Sequence, residues 1–565
     1  MVNRHLSSNW RTPPPAISDS EIAREYSADV IVVGLGNSGT PALRAAAEAG
    51  ASVIGIEKMK KEKFWVFGRD VGHINSDFLA GRGVPGVDSL EFFNEWMLRS
   101  GNRANPELLM QFCKKCGEAF NWYTEPFTQE QIDSILVEYW PLGSNFSGEI
   151  SGQKFWAGTA QFDDKGMFAP GTVPSKQKRA EKQGAELLFG MDARQLEGIF
   201  SLSHAVIANQ ERAGKYGAAL HFGMDAQQLV LKGERVVGVI AKNDKDQYVK
   251  YNANKGVILA AGDFSANREM CYDLLPDIVD LFEEHEGFKT FGRNGRGIQM
   301  GVWAGGRLEA RPLAAMGGNT SVPIGVLSTF GTLWVDEKGK RYCNENFGDP
   351  VFAGFPGAQL KHGYNTAVFD SGIFEDLQSS PPAHLSFWVN NDAAERALKE
   401  NMAAARAAGA EGHLIRGTAY LTGSTKLYAA DTLDKLADCI GLKNTAKQNF
   451  LATVKRYNEF CATGRDEDFG KDARLLHSLD APPYYAQPVP ARSMIGSFLV
   501  TVGGLLTDGY QNVLNQKKDP IPGLYATGNC CGRRFGPQYS TPVSGVSIGI
   551  AITLGREAGR IVAEL

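Results

Sequence analysis

Residues 28–57 constrain the fold most. Ala28-Asp-Val-Ile-Val-Val33 is an almost uninterrupted β-branched run, the pattern of a strand buried on both faces. It runs into Gly34-Leu-Gly36-Asn37-Ser38-Gly39, after which Ala42-Leu-Arg-Ala-Ala-Ala-Glu-Ala-Gly50 reads as a helix closed by glycine. Ser52-Val-Ile-Gly-Ile56 is a second strand and ends in Glu57, 23 residues after Gly34. Strand, glycine turn, helix, strand and acid at this spacing predict a dinucleotide-binding βαβ unit. Glycine lets the backbone approach a pyrophosphate, whose charge meets the amides and positive dipole of a helix start, and Glu57 stands where a carboxylate meets ribose hydroxyls. The plainer alternative is a glycine turn that only packs helix on strand. NAD and FAD proteins share the fingerprint, so this unit alone does not choose between them.

Of 565 residues, 64 are Gly but only 25 are Pro, and no collagen period accompanies them. The glycine excess over the usual ~7% is therefore structural. Lys+Arg 59 against Asp+Glu 63 leaves −4, with no basic field for nucleic acid or an anionic membrane. No apolar run reaches the ~18 residues of a membrane helix, and Met1–Pro15 shows no signal pattern, so no membrane insertion and a cytoplasmic location are expected. Eight Cys are too sparse for a disulfide framework. Cys113-Lys-Lys-Cys116 sits in a helix-like stretch without a second CxxC, which favours packing over metal, and no CxxCH haem attachment occurs.

Along the chain, residues 1–27 read as an arm packed on the body. Residues 60–150 carry loops rich in Gly and aromatics, and 177–220 read as helical. A hairpin is expected over 228–241 with Lys232-Gly233 at its turn, then a buried strand over 256–264. Residues 305–490 are mixed, with a helical stretch at 391–408. The chain then returns to strand, glycine and helix in Gly523-Leu-Tyr-Ala-Thr-Gly528-Asn529 and 545–559. Phe189-Gly-Met-Asp-Ala-Arg-Gln-Leu echoes Phe222-Gly-Met-Asp-Ala-Gln-Gln-Leu, but two copies make no solenoid.

Six segments occur in an order that resembles the fumarate reductase/succinate dehydrogenase flavoprotein family. They are 28–58, Val257–Phe264, Val335-Asp-Glu-Lys-Gly-Lys-Arg-Tyr-Cys-Asn-Glu345, Ala481–Ala486, Thr501-Val-Gly-Gly504 and Gly523–Asn529. The resemblance implies an α/β fold, a Rossmann-type FAD-binding domain discontinuous in sequence (28–307 and 498–565), with an inserted α+β capping domain at 308–497. It implies one FAD and hydride transfer between flavin N5 and an activated carbon–carbon bond. Carried over by position, Gly34, Gly36, Asn37, Ser38 and Gly39 would hold pyrophosphate, with Glu57 and Lys58 on the adenosine side near Ala226. Gly68, Arg69, Asp70, Gly72 and His73 would face the isoalloxazine. Ala261, Gly262, Gly528, Asn529, Gly545, Val546, Ser547 and Ile548 would line ribityl and flavin. His73 has two readings, a hydrogen-bonded loop histidine and a flavin-linked one.

The departures from the family speak to substrate. Fumarate-type members grip two carboxylates with Arg and His; here Asn344-Glu-Asn-Phe-Gly-Asp349 has no Arg, and Gly317, Val500 and Pro542 stand at the other clamp positions. Ala314, Ala315, Met316 and Val543 are apolar as well. Without bidentate cations a small dicarboxylate is poorly held, whereas a bulky neutral substrate gains from apolar burial. Tyr539-Ser-Thr-Pro542-Val-Ser-Gly545 resembles the Tyr-Pro-Gly stretch of 3-ketosteroid dehydrogenases, with Tyr539 displaced by two residues. Tyr539 is the first candidate for acid or oxyanion donor, with Tyr342, Tyr485 and Arg534 behind it; each Tyr has the alternative of a core residue with a hydrogen-bonded hydroxyl. Cys530-Cys531 has both a redox reading and a packing one.

These readings predict an ene-reductase acting on a small-molecule substrate such as a steroid or plant phenolic. Its electrons would come from reduced flavin, a nicotinamide or a redox protein. The alternatives are a ketosteroid-type dehydrogenase running in reverse and an electron-transfer flavoprotein subunit.

Overall fold

The computed structural model describes residues 9–66, 68–137, 148–150, 153–162, 200–275, 293–317, 332–345, 364–379, 392–416, 424–490, 498–537 and 539–565. The first copy of the 189/222 echo, the segment 177–199 and residues 346–349 lie outside them.

The predicted βαβ unit forms as β1 (Ile22–Val33), α1 (Gly39–Glu48) and β2 (Val53–Glu57). Strand β1 starts six residues before Ala28, so the last part of the expected arm is sheet. Val30–Val33 pair in parallel with Val53–Ile56 of β2 and, on the other side, with Gly256–Leu259. Both faces of this run are covered, hence the continuous apolar pattern: Val30, Ile31 and Val32 have no exposed surface. Helix α2 (Pro106–Thr124), starting on an Asn105 cap, and α3 (Leu202–Lys215) pack nearby. Arg44 of α1 joins them. Fully buried, it donates to Glu48, the Trp122 and Asn209 oxygens and Glu125, and stacks on Trp122 at 3.9 Å.

The sheet continues through β3 (Ala219–Phe222), β4 (Asp225–Lys232), β5 (Arg235–Lys242) and β6 (Tyr248–Leu259). It closes with β7 (Asn512–Leu514) and β8 (Pro520–Ala526). The order is β7-β8-β6-β1-β2-β3, with β8, β6, β1, β2 and β3 mutually parallel and the β4–β5 hairpin laid on the first half of β6. That hairpin turns one residue later than expected: Lys232 pairs with Arg235, placing Gly233-Glu234 at the turn, where Gly233 takes φ +60°. The helical expectation for 177–220 holds over 202–215, but Ala219–Phe222 is strand, because it pairs with Ile54–Glu57. Residues 60–150 are less loop-rich than expected, since Ser89–Arg99 and α2 are amphipathic helices. C-terminal helix α4 (Val546–Ala563) lies along α1, and Gly555 and Gly559 allow the approach because a Cβ there would strike the backbone of Ser38 and Ala42.

A second, antiparallel sheet lies within residues 333–490, in the order Leu333–Val335, Tyr364–Phe369, Tyr484–Pro490, Ser424–Ala430, His413–Arg416. It has apolar clusters of its own, with Leu398 and Met402 of the Asp392–Ala408 helix in one and Phe450, Val454 and Tyr457 of the Asn444–Thr463 helix in another. The chain passes between this sheet and the first through Ala315–Gly317 and Phe498–Thr501, which pair with each other antiparallel.

Candidate active site

The glycine loop after β1 is built by close backbone approach. Gly34 has φ +94°, and a Cβ there would lie 2.6 Å from the Ala260 carbonyl oxygen; a Cβ on Gly39 would strike the Gly34 carbonyl. Gly36, by contrast, faces open space, with nothing nearer to a Cβ than Val66 at 4.0 Å. Neither Ser38, which precedes α1, nor Gly545, which precedes α4 with φ +71°, caps its helix with a side-chain hydrogen bond. The start of α1 therefore lacks the usual side-chain acceptor for its first amides, whereas at α4 the Tyr539 hydroxyl takes the Ser547 amide. Glu57 accepts from Leu35 N and Met59 N, both at 2.9 Å, so its carboxylate is oriented by the loop it borders. Lys58 is turned outward to Asp225 at 3.4 Å. Ala226 is buried on β4, two residues beyond Met224, whose amide bonds the Glu57 carbonyl.

The remaining predicted positions converge on α4. Gly68 has φ +108° and fits against Ile548, while a Cβ on Gly72 would collide with Ser544 and one on Gly545 would lie 2.6 Å from the Asp70 carbonyl. Arg69 pairs with Asp70 at 3.0 Å. Gly528, with φ +57°, presses on the Ser38 side chain, bringing the loop after β8 to the glycine loop after β1. Gly262 follows β6 with φ +85°; the preceding Ala261 touches the space a Gly34 side chain would need. Val546 and Ser547 are buried in the first turn of α4.

His73 is a hydrogen-bonded loop histidine. It is buried, stacks on Phe120 at 3.9 Å, and has Nδ1 3.1 Å from Val71 O and Nε2 2.7 Å from Ser76 Oγ. Both ring nitrogens are engaged within the protein, which supports the hydrogen-bonded reading over the flavin-linked one. Burial pushes its pKa down to about 4. The cysteine pair is also a packing feature: Cys530 reaches Gly262 O, Cys531 meets Thr507, and burial raises their thiols to about 12 and about 11. So few thiolates at neutral pH give no redox nucleophile. Cys113 and Cys116 are likewise buried, and among the described residues no group of His, Cys, Asp or Glu could hold a metal.

Of the four catalytic candidates, two share one neighbourhood. Tyr539 is fully buried against Phe535, and its hydroxyl accepts from Ser547 N at 3.2 Å, at the start of α4. Arg534 is fully buried and bonds the Asn529 side chain. Tyr342 is elsewhere, packed on the Trp334–Ala367 cluster of the second sheet, and Tyr485 stacks on Phe369 there. Tyr539, Ile74, Trp156, Ala314, Val502, Phe535 and Val543 all belong to one extended apolar core, which also reaches Ala28 and Val239 of the first sheet.

Three groups that position the site escaped the sequence reading. Arg99 donates to Thr541 O and Lys154 O and pairs with Glu95, fixing the Tyr539–Gly545 loop. Its signal was present: Glu95 and Arg99 interrupt the apolar face of Phe92 and Trp96. Glu309 accepts from Gly504 N and Arg533 N, and burial lifts its carboxyl to about 7. Buried Asp263 accepts from Thr501 N at 2.8 Å, tying the end of β6 to the Phe498–Thr501 strand. For the last two no local pattern marks the role, because their partners are backbone amides far along the chain.

FAD fits these residues. Close-packed glycine turns, the open side of Gly36, the α1 start without a side-chain cap and the oriented Glu57 carboxylate would line a trench suited to a long dinucleotide carrying a pyrophosphate. Fold and site together define a flavoprotein. Residues 29–546 match the family described as FAD binding domain, and the chain belongs to that family, with FAD as its cofactor. It is 25% identical to a digoxin reductase of Eggerthella lenta, over 98% of this chain and 91% of that protein. It is 24% identical to a vinyl phenol reductase of Lactiplantibacillus plantarum, over 96% and 98%. The crystal structure of 3-ketosteroid-Δ4-(5α)-dehydrogenase from Rhodococcus jostii RHA1 in complex with 4-androstene-3,17-dione superposes with a TM-score of 0.65 at 21% identity, covering 98% of this chain and 99% of that one. This likeness establishes the fold.

Proposed function

We propose that this FAD-dependent oxidoreductase saturates an activated C=C bond in a bulky, neutral substrate of the steroid or plant-phenolic kind. Apolar side chains at and beside the family's clamp positions carry the reading: Val500 stands at one, and Ala314 and Val543 are buried in the same extended core as Tyr539, with Val500 packed against it. Such a wall rewards apolar area at ~25 cal/mol per Å² and offers no fork for a carboxylate. The digoxin and vinyl phenol reductases, matched over nearly their whole lengths, support the same substrate class.

Bound FAD supplies the hydride. Tyr539 donates the proton to the neighbouring carbon, and the Ser547 amide at the positive end of α4 steadies the negative charge that builds on its oxygen. Arg99 and the Trp156 amide, which bonds Pro542 O at 2.9 Å, hold the loop that carries Tyr539. In the dehydrogenating direction the same oxygen would accept the proton. Gly68, Gly72 and the first turn of α4 form the flavin-facing wall. The enzyme's electrons would come from reduced flavin, a nicotinamide or a redox protein. No helix among the described residues is long and apolar enough to cross a membrane; eight unpaired thiols support a reducing, cytoplasmic setting. The test is Tyr539→Phe, which lowers turnover by roughly 10²–10⁴ with flavin still bound if this hydroxyl is the acid. Near-normal turnover would remove Tyr539 from the role.

A further inference from the structure

Arg534 is fully buried, yet none of its hydrogen bonds goes to a carboxylate. Nε donates to Cys531 O at 2.9 Å, and Nη2 to Val502 O at 3.0 Å and to Asn529 Oδ1 at 2.8 Å, while Nη1 has no partner among the described residues. A guanidinium does not lose its proton in a protein, so this is a buried positive charge. The nearest acidic influence is Glu309, whose oxygens are committed to Gly504 N and Arg533 N. A buried cation held only by neutral oxygens is costly, by several kcal/mol in general, unless something nearby gains from its charge.

Asn529 shows what stands to gain. A guanidinium only donates, so the Asn529 carboxamide must turn Oδ1 toward Arg534 and Nδ2 away from it. Asn529 is partly exposed, and it follows Gly528, which lies on Ser38 of the glycine loop. Nδ2 is thus left as a donor directed away from Arg534, on a residue that the family resemblance places beside ribityl and flavin.

We propose that Arg534 is a positioning residue for the flavin: it locks the Asn529 amide as a donor into the trench, and its uncompensated charge favours the reduced cofactor over the oxidised one. Taking up two electrons makes a flavin richer in negative charge, and a nearby buried cation stabilises that change at low effective dielectric. The inference rests on FAD being the cofactor and on no choice of substrate.

The test is the midpoint potential of the FAD-loaded protein, measured against reference dyes without any substrate. Arg534→Met should shift the oxidised–reduced equilibrium at least tenfold toward the oxidised form, about 30 mV for a two-electron couple. Arg534→Lys keeps the charge and loses the fork, so it should move the potential by less than half as much while weakening FAD binding. Asn529→Asp, which sets a carboxylate against Arg534, should lower the potential further than Asn529→Ala, which leaves the cation uncompensated. An unchanged potential in loaded Arg534→Met would overturn the proposal, as would equal shifts for Met and Lys. Should Arg534→Met fail to load FAD, the Asn529 pair decides: equal potentials for Asp and Ala overturn it. Failure of these outcomes says nothing against C=C reduction, and inactivity toward enones says nothing against them.

Discussion

The two sheets solve their burial problems by different means. In the parallel sheet the functional surface is mostly backbone: Gly34, Gly39, Gly72, Gly528 and Gly545 are required because a Cβ at each would strike main chain or a neighbouring loop. In the antiparallel sheet the specificity lies in side chains. Arg341 grips Glu345 with two hydrogen bonds of 2.7 and 2.8 Å and pairs with Asp466 at 2.7 Å, while Lys471 reaches Tyr457 and the Thr332 carbonyl. A backbone-built site tolerates no added atom, whereas a side-chain-built core tolerates no unpaired charge.

Mutations should separate the two. Gly39→Val inserts atoms into the Gly34 carbonyl, so retention of FAD should fall by at least ~10³, about 4 kcal/mol, while residues 333–490 keep their fold. Flavin absorbance of the purified variant, with proteolysis of the second sheet as control, checks this. Glu345→Leu leaves Arg341 and Lys471 facing each other without their shared anion and should cost ~3–5 kcal/mol in the antiparallel sheet, with FAD still held. A variant that lost FAD before that sheet loosened would show that the halves do not act separately.

Acid offers a finer cut. His73 has its pKa lowered to about 4, so between pH 6.5 and 4 the unfolded chain binds a proton that the folded chain refuses. Stability from this group is whole above pH 6.5 and falls by up to ~3 kcal/mol as pH drops to 4. In the antiparallel sheet Glu345 and Asp466 are lowered instead, the net effect of cations outweighing burial, so their contribution is lost only below the ordinary carboxylate range. Buried Glu309, lifted to about 7, acts the other way in the same half and gains stability as pH falls from 7 to 4.5, so the check is a comparison: unfolding of His73→Gln followed from pH 7 to 4 should lack the loss that the parent shows from His73.

Legibility in the sequence follows the same division. The βαβ unit, the strand before Gly262 and the Gly528–Asn529 turn could be read directly, because glycine position and β-branched runs are local consequences of backbone geometry. Strand β1 reached back to Ile22 because β6 offers partners as far as Tyr248, which no local pattern signals. Tyr342 sounded catalytic within its Lys-Arg-Tyr-Cys-Asn-Glu segment, yet it packs against Trp334, since its neighbours are set by sheet pairing. Arg99 and Glu309 are positioned by contacts hundreds of residues away, with Thr541 and Arg533. The pairing that makes them matter has no signature in composition or period.

Apolar side chains at the clamp positions, Val500 and Pro542 among them, should select a bulky neutral alkene over a dicarboxylate. The direct measurement is reoxidation of the anaerobically reduced, FAD-loaded protein, mixed in turn with steroidal enones, vinyl phenols, simple enones and fumarate. The account predicts that at least one bulky neutral substrate restores the oxidised flavin spectrum far faster than fumarate does, and that Tyr539→Phe slows it. Reoxidation by fumarate alone would contradict it.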